Sequence, residues 1–152
     1  MKRFLVVLAL LFAAVPFAAA QNKLNDNADS IIGEYMDDTP GDGFKCRFSK
    51  NADGSYKCQV TWIENNIDPS TGKPWLDVHN PDKSLRNRRN DSLVIIENIK
   101  YNPAKKHWDG AKIYDPDRGI KANVTCVFTD DGRLCLKGTV LGIGEKVYWK
   151  KL

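Results

Sequence analysis

A chain of 152 residues with 23 Lys and Arg against 19 Asp and Glu has a formal net charge of +4. That length is one domain by the usual size relation. Its charges are mixed along the chain rather than gathered on one basic face, which excludes an ordinary nucleic-acid binder.

The first element is a leader. Lys2 and Arg3 form a short positive region, Phe4 to Phe17 an almost wholly apolar run, and Ala18-Ala19-Ala20 a small-residue cleavage site. This is the pattern of a secretory signal peptide over residues 1–20. A membrane anchor is the alternative, but the run is shorter than the roughly 20 residues that span a bilayer comfortably. No cysteine sits directly after Ala20 to accept a lipid. The expectation is a soluble exported domain over 21–152, periplasmic or secreted. Lys2 and Arg3 leave with the leader, so the exported chain is less basic than the formal charge suggests.

From Ile31 onward, short runs of alternation separated by turn signals replace any helical period. After Ile31–Asp37, Phe44, Cys46 and Phe48 alternate with Lys45, Arg47 and Ser49. The turn "NADG" (51–54) leads into Tyr56, Cys58, Val60 and Trp62, which predicts a hairpin. "SLVIIENIKY" (92–101) and "WDGAKIY" (108–114) form the next pair around "NPAKKH". "DPDRG" (115–119) turns the chain into the strand Ile120–Phe128, and "TDDG" (129–132) into Leu134–Val140. A last strand carries Val147 and Trp149. The fold class is therefore all-β: about eight antiparallel strands that can close into a small barrel and so remove exposed edges. A two-sheet sandwich is the alternative. Residues 64–91 form the one long loop, between the third and fourth strands. "DKSLRNRR" within it can hold a short helix capped by Asp82 or Ser84.

All four cysteines lie beyond the leader, and an even number in an exported chain favours disulfides over a metal site. Cys46 and Cys58 sit on the apolar faces of one hairpin at comparable distances from its turn, so a Cys46–Cys58 bridge is expected. The pairing of Cys126 and Cys135 stays open. If Phe128 faces Leu134 and Cys126 faces Leu136, Cys135 points away from Cys126, and a slip of one residue reverses this.

Candidate chemistry is sparse. His79 and His107 are not in a metal-ligand spacing, no Gly-x-Ser-x-Gly elbow is present, and the acids show no distinguishing pair. Asp115-x-Asp117-x-Gly119 begins like a calcium loop, but the twelfth position is Cys126 rather than Glu, and a hairpin turn is the better account. Two sequons, at Asn90 and Asn123, match a eukaryotic glycan pattern and carry no weight by themselves. No metal, cofactor or catalytic constellation is expected, and the reading leans away from an enzyme.

Two features remain. If Tyr114 pairs with Ile120 across the turn, then Trp108, Lys112 and Tyr114 share the face of Ala122 and Val124. With Trp62 they would line the barrel interior and hold a small apolar or amphipathic ligand. A one-residue change of register makes Lys112 an ordinary surface lysine instead. The second feature is "DVHNPDKSLRNRRND" (77–91), where Arg86 and Arg88 could hold an anion. The internal alternative is that they bond Asp77, Asp82, Asp91 or loose carbonyls and pin the loop. That reading is preferred because nearby acids nearly match the bases and buried loop backbone needs partners.

Three segments resemble the uncharacterised bacterial family DUF2147. They are Asp77…Asn80-Pro81-Asp82…Leu85-Arg86-Asn87-Arg88, then Trp108-x-Gly110…Ile113-Tyr114-Asp115-Pro116-x-x-Gly119, then Leu136-x-Gly138 with Trp149. Gly33-Glu34-Tyr35 adds a Gly-x-aromatic start, with tyrosine where tryptophan is usual. The resemblance implies an exported lipocalin-like barrel and brings no established activity. Two functions follow as expectations. One is a non-enzymatic barrel that binds a small apolar or amphipathic ligand. The other is a packed barrel whose 64–91 loop docks a protein or envelope partner, itself unknown.

Overall fold

The computed structural model describes residues 22–152. The leader expected over 1–20 lies outside them. In chain order the strands are β1 (Gly33–Asp37), β2 (Phe44–Lys50), β3 (Tyr56–Ile63), β4 (Ile67–Asp68), β5 (Lys73–Pro74), β6 (Val94–Asn102), β7 (His107–Asp115), β8 (Ile120–Phe128), β9 (Leu134–Val140) and β10 (Ile143–Lys151). Eight of them close into an antiparallel barrel in the order β1-β10-β9-β8-β7-β6-β3-β2. β4 and β5 form a separate ribbon inside the long loop. The barrel, not the sandwich, is the architecture. Among the described residues no helix is long and apolar enough to cross a membrane.

Alternation and turn chemistry explain the hairpins. The Asn51 N–H bonds the Ser55 carbonyl at 2.7 Å, and the Thr129 N–H the Arg133 carbonyl at 2.9 Å, each closing a tight connection. Because every connection between barrel neighbours is antiparallel, the turns fall alternately at two ends. Turns 51–55, 103–106 and 129–133 lie at one end. The segments 38–43, 64–93, 116–119 and 141–142 lie at the other.

The first end is solid. Two short 3-10 turns, Lys23–Asp26 and Ala28–Ile31, fold across it. The Trp108 indole donates to the Ala28 carbonyl at 3.0 Å, Tyr35 to Ile31 at 2.8 Å and Tyr101 to Asn25 at 2.6 Å. Beneath this cover aromatic rings fill the barrel: Tyr35 meets Phe48 edge-on at 5.5 Å between centroids, and Trp108 meets Phe128 at 5.7 Å. Each buried ring of this kind contributes about 3 kcal/mol through area removed from water.

Two β-bulges control which face each side chain takes. On the β2–β3 pair Cys46 is opposite Val60, but Lys45 is opposite Trp62, so Thr61 is an extra residue. On β7–β8 Trp108 is opposite Cys126, but Ala111 is opposite Val124. There Gly110, at φ +78°, takes a conformation that L side chains rarely adopt. An extra residue reverses the inward and outward positions beyond it.

The cysteine expectation needs correction. All four are free, buried thiols. Cys46 faces Val60 and Cys58 faces Phe48, so the two are diagonal rather than opposite. Burial, then the neighbouring Cys46 thiol, holds Cys58 well above its usual range. Phe128 faces Leu134 and Cys126 faces Leu136, the register in which Cys135 and Cys126 take opposite sides of the sheet.

Candidate functional site: the barrel mouth

The four residues expected to line the interior do not meet. Trp108 is inside and fully buried, but it belongs to the packed end. Trp62, flipped by the bulge at Thr61, lies on the outer surface at 42% exposure, with the Lys45 ammonium 5.5 Å from its ring. Tyr114 pairs with Lys121 and Lys112 with Asn123, one residue away from the register that would have turned them inward. Lys112 is an exposed surface lysine. The amine that does lie among aromatic rings is Lys151, 5.7 Å from Tyr35 and 5.6 Å from Phe128. Its ammonium bonds the Ser30 carbonyl at 2.6 Å, and burial lowers its pKa.

Tyr114 instead meets the long loop. Its hydroxyl donates to the carboxylate of Asp77, whose side chain is wholly buried. Asn80 Nδ2 donates to the same carboxylate at 2.7 Å and Arg88 Nη2 at 3.0 Å. Burial, then this bond to Asp77, pushes the Tyr114 phenol up to about 12. Arg86 Nε donates to the Asn80 carbonyl at 2.8 Å, while Arg89 forks onto Asp91. The short helix is a 3-10 turn, Lys83–Leu85, with the Asp82 side chain accepting from the Ser84 N–H. Gly119 completes the contact: at φ +65°, a Cβ there would stand 2.0 Å from the His79 carbonyl oxygen. Loop and turn therefore touch backbone to backbone.

Under this loop the second end of the barrel is hollow. A cavity of about 500 Å³ opens between the turn 38–43, the ends of β2 and β3, the loop, and the turn after β7. Phe44, Val60, Ile63 and Ile95 give it an apolar wall, and Trp75 and Tyr114 add aromatic surface. Among the described residues the charged part of the lining is acidic, Asp42, Glu64, Asp115 and Asp117, with no Lys or Arg. Glu64 accepts from the Gly43 N–H at 3.2 Å, and Asp115 is paired with Arg118 at 2.6 Å. Partial desolvation, then repulsion from Asp115 and Asp42, raises the Asp117 carboxyl; His79 and Arg118 pull the other way. Asn90 also belongs to the lining and is 8% exposed; its Oδ1 is itself fully buried and has no hydrogen-bond partner among the described residues.

No local motif marks these residues, because they come from three connections far apart in sequence. One signal was available. In an up-and-down barrel, alternate turns share an end, so 38–43, 64–91 and 115–119 must converge. Among the described residues no three His, Cys, Asp or Glu side chains are arranged to hold a metal ion. The acids surround an opening rather than meet at a point.

Comparison with known proteins agrees with this architecture. A family model described as "Uncharacterized protein conserved in bacteria (DUF2147)" matches residues 33–151. The structure is similar to that of protein HP1028 from Helicobacter pylori, described as belonging to the lipocalin family. The TM-score is 0.64 at 21% identity, over 80% of this chain and 82% of that one, a likeness of fold. No curated protein matches the sequence significantly.

Proposed function

Because the chain belongs to the bacterial family DUF2147 and folds as a lipocalin-like barrel, we propose that it is an exported, non-enzymatic binding protein. Its ligand is a small apolar or amphipathic molecule held at the barrel mouth. The observation that carries this reading is the cavity of about 500 Å³ with an apolar wall and a polar rim. Ligand sites commonly measure about 300–1,000 Å³ and combine these two surfaces. The ligand contacts are Phe44, Val60, Ile63, Ile95 and Tyr114, in place of the set centred on Trp62 and Trp108. Export rests on the leader pattern of residues 1–20 and is tested by the mass of the protein from its host. Cleavage after Ala20 leaves Gln21 first.

Native mass spectrometry of the host-purified protein tests binding. A reproducible small adduct is expected, and Ile63→Trp, which fills the cavity, should abolish it while the strand signal in circular dichroism persists. An adduct retained by that variant places the ligand elsewhere. A second reading has one observation behind it: Ile67 and Val78 on the long loop are each 52% exposed, as in a docking surface. A co-purifying protein with no small adduct would favour that reading.

A further inference from the structure

We propose that the mouth selects a cationic amphiphile, an organic amine with an apolar body, as its ligand. This rests on the ligand-binding reading of the same cavity and names the charge of what enters it. The apolar wall of Phe44, Val60, Ile63 and Ile95 accommodates a hydrocarbon body but cannot choose among head groups. The polar lining does choose. Among the described residues its charged side chains are all carboxylates, although the chain as a whole carries more bases than acids.

Neutralisation inside the protein is incomplete. Arg118 is engaged by Asp115, and its other nitrogen reaches Glu145 only at 4.0 Å. Glu64 has one backbone donor, and among the described residues no side-chain donor is bonded to Asp42 or Asp117. An anionic head group would meet like charges here at a cost, whereas an ammonium would relieve their mutual repulsion. An ammonium carries three donors and accepts nothing. Trp75 adds a half-exposed aromatic ring to the same lining, a surface that attracts cations and leaves anions unfavoured. The carboxylates and the aromatic ring thus both specify a positively charged head.

The test is calorimetric titration of the purified protein with decylamine, decanol and decanoate, which share one hydrocarbon chain. Decylamine is expected to bind about tenfold tighter than decanol, the order of one charged hydrogen bond, and decanoate more weakly than either. In the double variant E64Q/D117N the amine-to-alcohol ratio should fall toward one. In Ile63→Trp both decanol and decylamine should be lost. Equal binding of all three probes would overturn the cationic assignment while leaving the ligand-binding reading in place. No binding of any probe would overturn both. Amine binding that survives Ile63→Trp would place the amine on an acidic surface outside the cavity and overturn the assignment as well.

Discussion

Asp77 shows how one buried carboxylate organises a loop. Its side chain has no exposure, yet three donors from three places in the sequence, Asn80, Arg88 and Tyr114, satisfy it. A buried charge is tolerated only when paired and hydrogen-bonded, so the loop and β7 must arrive together. Arg88 and Arg86 then have different weights. Arg88→Ala takes the counter-charge from a buried carboxylate and should cost about 2 kcal/mol, less than a fully buried pair because Arg88 itself is half exposed. Arg86→Ala loses one bond to the Asn80 carbonyl and should cost about 1 kcal/mol. Urea unfolding measures both. If neither variant shifts the midpoint, the arginines do not pin the loop and an anion-binding role becomes the better account.

At the scale of the strand, the bulges decide which aromatic residues belong to the core. The extra residue Thr61 puts Trp62 outside, and Gly110 lets β7 send Trp108 inward while turning Lys112 outward. Trp108→Ala should therefore cost about 4 kcal/mol, the usual range for deleting a packed ring. Trp62→Ala loses only a surface contact with Lys45 and should stay within about 0.5 kcal/mol of the parent. Comparable losses in the two variants would mean that the β2–β3 register differs from that described. The contact of Gly119 with the His79 carbonyl belongs to this scale too, since it fixes how closely the turn after β7 can approach the loop.

The whole molecule divides into a solid end and a hollow one, and its charges set its response to acid. Asp29, Asp53, Asp68, Asp82, Asp91, Asp109 and Asp131 are held below the ordinary 3.8, each by hydrogen bonds first of all. As pH falls through 3.8, the unfolded chain takes up protons before the folded one, so the stability these groups contribute is lost. Asp117 has the opposite sign: its raised carboxyl disfavours the fold at neutral pH and is relieved on protonation. One group against seven cannot reverse the trend. The melting temperature should be nearly level from about pH 7 to 5 and fall below about pH 4. A melting temperature that rises on acidification below pH 4 would contradict this assignment.

Much of the architecture was legible before any coordinates. Strand number, hairpin turns and the place of the long loop follow from period-two alternation and local turn chemistry, which each segment carries by itself. The resemblance to DUF2147 likewise lay in contiguous residues, and two of its segments turn out to meet at Tyr114, Asp77 and Gly119. What sequence could not determine was the face taken by Trp62, Lys112 and Tyr114. One inserted residue reverses a strand's two faces, and a bulge leaves little mark on the pattern around it. The Cys46–Cys58 pairing failed for a related reason: equal distance from a turn does not make two residues opposite once the register is set. No local pattern marked the mouth, because Asp42, Glu64, Asn90 and Asp117 become neighbours only when the barrel closes. Local periodicity determined the wall, and closure of the sheet decided what the wall surrounds.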